Sequence, residues 1–194
     1  MNTDKNKNDI IVCEIEDFVS NEEIQEILNI ADKNFKEMTT LGKQIPGFRV
    51  ADGTWISNKE CDAVIAIRNK ISKIINVPED NFEKLHIVKY KAGGEYKAHH
   101  DSFHENTDYY KKETTRGGQR VYSALMYLND DFEGGETDFP KIGYKAIPKK
   151  NKLLVWKNVN EKNEVEKASL HAGLPVTSGI KYIAIFWIRE NKFI

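Results

Sequence analysis

From Leu85 to its C-terminus the chain repeats one pattern, short strand-like runs closed by glycine-bearing turns. The runs are Leu85–Lys91, Tyr96–His99, Arg120–Asn129, Thr137–Phe139, Tyr144–Ile147, Leu153–Trp156, Lys167–His171 and Lys181–Glu190. The turns carry Gly93-Gly94, Gly117-Gly118, Gly134-Gly135, Gly143, Gly173 and Gly179. Strands of this length and spacing point to an antiparallel β-sandwich or barrel. Helical signals come first. Ser20 and Glu23 are spaced as a capping box ahead of Ile24, Ile27, Leu28, Ala31 and Phe35, one face of an amphipathic helix. A second helix is expected from about Asn58 to Asn76, with Val64, Ile65, Ile71, Ile74 and Ile75 as its apolar face. Helices followed by many strands predict a mainly β, α+β fold with N-terminal helices packed on one sheet.

Length and charge set the outer limits. A chain of 194 residues suits a single domain, expected over residues 10–194. Within it, helical support lies at about 20–76 and the β core at about 84–190, while residues 1–9 read as a frayed tail. Net charge is −1, which excludes a whole-protein electrostatic footprint for nucleic acid. No apolar run approaches the roughly 20 residues of a membrane span, and the polar N-terminus lacks a signal-peptide core. A cytosolic location is expected. Cys13 and Cys61 form no Cys-x-x-Cys pair and read as reduced, buried thiols. Residues 36–53, with Gly42, Pro46, Gly47 and Gly53, read as a long loop of functional kind. Residues 102–118 read as an exposed, mobile excursion.

Histidine is scarce, with five in the chain, and His99-His100-Asp101 is therefore informative. On a strand, His99 and Asp101 share a face and His100 points to the other. His171 ends another expected strand. Two histidines and one carboxylate are the facial set that binds Fe(II) and leaves positions open; a closed four-ligand zinc site would leave none. Lys181 follows His171 by ten residues inside an apolar strand, facing either solvent or a cavity. Burying its ammonium requires a counter-anion, which a bound dicarboxylate would supply. His86 and His104 read as structural or surface residues, and Lys111-Lys112 and Lys149-Lys150 as solvated charge.

The stretch Tyr90-Lys91-Ala92-Gly93-Gly94-Glu95-Tyr96-Lys97-Ala98-His99-His100-Asp101 resembles prolyl 4-hydroxylases, the Fe(II)- and 2-oxoglutarate-dependent dioxygenases. So do Gly117-Gly118-Gln119-Arg120, Gly134-Gly135-Glu136-Thr137, Phe139-Pro140, Pro148-Lys149-Lys150 and Leu170-His171-Ala172-Gly173, with Pro175, Lys181 and Trp187. The resemblance spans about residues 10–190. It implies a double-stranded β-helix, or jelly roll, with helices supporting the larger sheet. His99, Asp101 and His171 would be the iron ligands. Lys181 and Tyr90 would hold the distal carboxylate of 2-oxoglutarate, with Thr177 adding a hydroxyl and Trp187 lining the site. Arg49, Glu83 and Arg120 would contact the peptide, under a loop that closes over it. O2 would be the co-substrate, and ascorbate the reductant. The activity implied is hydroxylation of proline in a peptide or protein, coupled to oxidative decarboxylation of 2-oxoglutarate. Two departures bear on the peptide: Ala51 stands where peptide-binding members show serine, and Arg189 where some have histidine. The segment Phe103–Arg116 is also longer and more charged than the family suggests. The same chemistry on another amino-acid side chain, a free amino acid or a nucleobase is the alternative, followed by a metal-binding jelly roll without turnover.

Overall fold

The computed structural model describes residues 11–38 and 45–194. The expected tail at 1–9, and Gly42 of the loop, lie outside the described residues. Along the chain the elements are β1 (Val12–Ile15), α1 (Asn21–Ala31), β2 (Lys36–Glu37), β3 (Arg49–Val50), β4 (Asp52–Ile56), α2 (Asp62–Ile75), β5 (Leu85–Lys91) and β6 (Glu95–His99). There follow α3 (Tyr110–Thr114), β7 (Arg120–Tyr127), β8 (Glu133–Gly134), β9 (Thr137–Phe139), β10 (Tyr144–Ala146), β11 (Leu153–Lys157), β12 (His171–Gly173), β13 (Val176–Ser178) and β14 (Ile180–Arg189). A seven-stranded sheet runs β1-β11-β7-β14-β5-β4-β2, and a five-stranded sheet runs β10-β9-β12-β6-β3. Among the described residues every strand pairing is antiparallel. This is the expected mainly β jelly roll with helices on the major sheet.

Strand alternation creates two cores. On β14, Ala184, Phe186 and Ile188 face the helices and pack with Ile24, Ile27, Val64, Ile67 and Ile71. The intervening Ile183, Ile185 and Trp187 face between the sheets, toward Tyr90, Leu125, Phe139 and Trp156. That second layer is where the site lies.

The α1 capping box is made on both sides: Glu23 N–H donates to Ser20 Oγ at 3.1 Å and Ser20 N–H to Glu23 Oε2 at 2.8 Å. Phe35 falls beyond the helix but still packs on its core. The second helix starts at Asp62, not Asn58, because Ser57–Glu60 form a turn. Its buried face is Ala63, Val64, Ile67 and Ile71, while Ile65 and Ile74 are exposed.

Three stretches correct the sequence reading. Residues 36–53 hold strands: β2 and β4 extend the major sheet while β3 joins β6 of the minor one. Gly53 makes this possible, since a Cβ there would meet Met38 Sδ at 2.2 Å and His86 Nε2 at 2.9 Å. The expected strand at Lys167–His171 is a 3-10 turn, Lys167–Ser169, leading into β12. Residues 102–118 are anchored, with Ser102, Phe103 and Glu113 buried. Cys13 is exposed and Cys61 half-buried, and both are free thiols. Among the described residues no helix is long and apolar enough to cross a membrane.

Candidate active site

Antiparallel pairing of β6 with β12 sets His99 directly opposite His171. β6 ends at His99, so Asp101 reaches the same point by a bend, not by strand alternation. One donor atom from each of the three residues lies within 4.8 Å of the others. Nε2 of His99 is 3.6 Å from Asp101 Oδ1, and Nε2 of His171 is 3.7 Å from Oδ2. Both separations exceed hydrogen-bond range. Each Nδ1 instead faces a carbonyl, Lys97 O at 2.7 Å and Ser169 O at 2.9 Å. A carbonyl only accepts, so Nδ1 carries the proton and the Nε2 lone pair is free.

Electrostatics keep His171 and Asp101 unprotonated. Burial, aided by His99, lowers His171 to about 4. Burial alone would raise Asp101, but His171, His99 and the Ser123 hydroxyl outweigh it and hold the carboxyl well below the usual range. Ser123 Oγ donates to Asp101 Oδ2 at 2.6 Å and accepts from Asn158 Nδ2 at 2.8 Å. Ser123 and Asn158 escaped the sequence reading, since nothing local marks a strand serine as the partner of a carboxylate 22 residues away. The Tyr96 ring stacks on His99 at 3.5 Å, and Trp156 meets His171 edge-on at 4.8 Å. Two imidazoles whose Nδ1 atoms are engaged by carbonyls and one carboxylate, facing one centre without hydrogen bonds among themselves, fit a divalent cation with open positions.

A narrow cavity extends from this point between the sheets, lined by Tyr90, Leu125, Thr137, Lys181, Ile183 and Trp187 among others. Lys181 is opposite Tyr90 in the β5–β14 ladder and 2% exposed. Its ammonium donates to Gly135 O and lies 5.3 Å from the Tyr90 ring centroid. Burial pushes it down to about 7, with Glu136 offsetting only part. Of the two orientations open from sequence, the lysine takes the cavity. Thr177 does not join it: Val176 is buried, so the next residue of β13 points out and is exposed. The threonine that lines the cavity is Thr137, its hydroxyl hydrogen-bonded to Tyr127 at 2.7 Å. Alternation along Thr137–Phe139 was the available signal, because it puts Thr137 on the face of buried Phe139.

On the other side of the three donors opens a groove of about 650 Å³, lined in part by Arg49, Trp55, Glu83, His86, Arg120 and Trp187. Arg49 lies over the Tyr96 ring at 4.6 Å and borders both spaces. Glu83 is not free to contact a ligand. Its Oε1 accepts from Arg120 Nε at 2.6 Å and Arg189 Nε at 2.5 Å, and its Oε2 from Arg120 Nη2 at 2.8 Å. Burial raises this carboxyl, but the two guanidinium groups outweigh it and leave it lowered. Arg120 also stacks on Trp187 at 3.9 Å. His86 is buried, as a structural residue would be, stacked on Trp55 at 4.2 Å, but it also lines the groove. His100, set aside as facing away, lines the groove too because the strand has already ended.

Residues 85–189 match the family model of the 2OG-Fe(II) oxygenase superfamily. A protein of Acanthamoeba polyphaga mimivirus named "Putative prolyl 4-hydroxylase" is 39% identical over 170 residues, covering 87% of this chain and 70% of that protein. Prolyl 4-hydroxylase 5 of Arabidopsis thaliana is 28% identical over 200 residues, 91% of this chain and 67% of that one. The 2OG complex of the viral collagen prolyl hydroxylase from Paramecium Bursaria Chlorella virus-1 superposes with a TM-score of 0.75 at 31% identity, covering 92% of this chain and 96% of that one. The chain belongs to the 2OG-Fe(II) oxygenase superfamily and, within it, to the prolyl 4-hydroxylase family. It is an Fe(II)- and 2-oxoglutarate-dependent dioxygenase that takes O2 as co-substrate.

Proposed function

We propose that this enzyme hydroxylates proline within a peptide or protein, using His99, Asp101 and His171 as the iron ligands and the Lys181 cavity as the 2-oxoglutarate pocket. The observation that carries the reading is the placement of the donors between a narrow cavity with a buried lysine and a much wider groove. Bound Fe(II) and 2-oxoglutarate would supply the oxidising chemistry, in which O2 gives one oxygen atom to the substrate and one to succinate as CO2 is released. The chain's own part is positional. The two Nδ1–carbonyl bonds and the Ser123–Asp101 bond hold the donors before metal arrives, so little ordering is needed on binding. Lys181 meets the far carboxylate of 2-oxoglutarate, and the apolar walls of Leu125, Ile183 and Trp187 exclude water from the reacting centre. Arg120, fixed by Glu83 and stacked on Trp187, and Arg49, at the mouth of the cavity, direct their remaining donors at the peptide backbone. A proline-rich peptide already favours an extended conformation and enters such a groove at low entropic cost.

The test is mass spectrometry of proline-containing peptides incubated with enzyme, Fe(II), 2-oxoglutarate, O2 and ascorbate. A gain of one oxygen on proline, matched by succinate, is expected. If proline peptides stay unchanged while another side chain or a free amino acid gains oxygen, the substrate assignment falls.

A further inference from the structure

The groove's charge is one-sided at its surface. Among the described residues its acidic lining groups, Asp101, Glu83 and Glu113, are all buried. Asp101 belongs to the metal site, and Glu83 is saturated by Arg120 and Arg189. Glu113 lies 3.9 Å from Arg189 Nη2 and 3.8 Å from Arg116 Nη1. Arg116 differs from the other lining cations. Its side chain is 49% exposed, its separation from Glu113 is beyond hydrogen-bond length, and its guanidinium rests over the Phe193 ring at 4.8 Å. The neighbouring charges Glu105, Asp108, Lys111 and Lys112 do not line the groove and cancel one another in sum.

The wall that carries Arg116 is built, not loose. Gln119 clamps the Phe103 backbone with two bonds, of 2.7 and 2.8 Å, and Arg189 Nη1 donates to Glu113 O and Gly118 O at 3.0 and 2.7 Å. A half-exposed guanidinium on a fixed wall, backed by an aromatic ring and only loosely paired with buried Glu113, keeps donors for a further carboxylate. Resting on the peptide-substrate reading above, we infer that the substrate carries an acidic side chain beside its reacting proline, bound by Arg116.

Three labelled peptides that differ only by Glu, Gln or Lys at positions flanking the proline test this. Their binding to enzyme loaded with Mn(II) and 2-oxoglutarate is followed by fluorescence anisotropy, alongside KM in the Fe(II) assay. The Glu peptide should bind up to about fivefold more tightly than the Gln peptide, and the Lys peptide more weakly than either. The preference should shrink in 0.5 M salt, as about 4 Å of screening length replaces about 10 Å. Arg116→Gln should erase the order, and Arg116→Glu should reverse it in favour of Lys. Equal affinities in the wild type, or an order untouched by both variants, overturn the inference. Because binding is read apart from turnover, peptides that bind in the expected order yet gain no oxygen overturn the prolyl reading alone.

Discussion

At the residue scale the site depends on groups that hold other groups. Ser123 touches no substrate, yet its hydroxyl is hydrogen-bonded to the Asp101 carboxylate. Ser123→Ala should lower metal affinity by about 10–100-fold, the usual cost of losing such a support, measured by Mn(II) titration. His99→Ala, Asp101→Ala and His171→Ala should each cost more and nearly abolish turnover while circular dichroism stays unchanged. Lys181 makes a prediction of opposite sign for stability and function. An unfolded lysine titrates near 10.4, whereas burial puts this one at about 7. Between those values the unfolded chain binds more protons, so stability rises with pH across that window. Below pH 7 both states are charged and the full burial penalty remains. Lys181→Met should therefore raise the melting temperature of the ligand-free protein, most at pH 6 and much less at pH 9.5, while removing the stabilisation that 2-oxoglutarate gives. An equal gain at both pH values would mean that the ammonium is not desolvated. The sequence exposed His99, Asp101, His171 and Lys181 because each is a chemically unusual residue in an apolar or glycine-rich setting. It concealed Thr137 and Ser123, whose types are common and whose partners are distant in the chain.

At the element scale, what was legible was what repeats locally. The capping box of α1 and the strands β5 and β9 follow directly from spacing. The segment before Asp62 was hard to read because its strands pair with two different sheets and each is only two to five residues long. Glycine in β4 looks like a turn signal, but there it admits Met38 and His86. The arm after Asp101 looked mobile because its charges are numerous, yet the ones that matter are neutralised inside. Glu83 joins β7, β14 and the turn before β5 in one buried knot. Glu83→Ala leaves Arg120 and Arg189 without their anion and should cost about 3–5 kcal/mol in urea unfolding. Glu83→Gln, which keeps the shape but not the charge, should also destabilise, with a larger effect on peptide KM than on 2-oxoglutarate KM. Equal effects on both would place Arg120 outside the peptide groove.

At the scale of the whole molecule the proposed ligands add a link across the layer between two sheets that the polypeptide already crosses repeatedly. His99 and His171 stand on the minor sheet, while Tyr90, Lys181 and Trp187 stand on the major sheet. A metal held by the first set and a dicarboxylate held by the second must meet in the layer between them. Binding should therefore act as a clasp on global unfolding, not as a local ordering of one loop. A ligand at 100 times its Kd stabilises by about 2.7 kcal/mol, which for a chain of this size shifts the melting temperature by roughly 5–11 °C. We expect Mn(II) with 2-oxoglutarate to give a shift of that order in a single cooperative transition, followed by both tryptophan fluorescence and circular dichroism. Trp156 beside His171 and Trp187 beside the cavity report on the same layer. Lys181→Met should keep the response to metal alone and lose the added response to 2-oxoglutarate, whereas Asp101→Ala should lose both. If 2-oxoglutarate stabilises Asp101→Ala as much as the wild type, the dicarboxylate binds independently of the metal and the two sheets are not joined through the ligand pair.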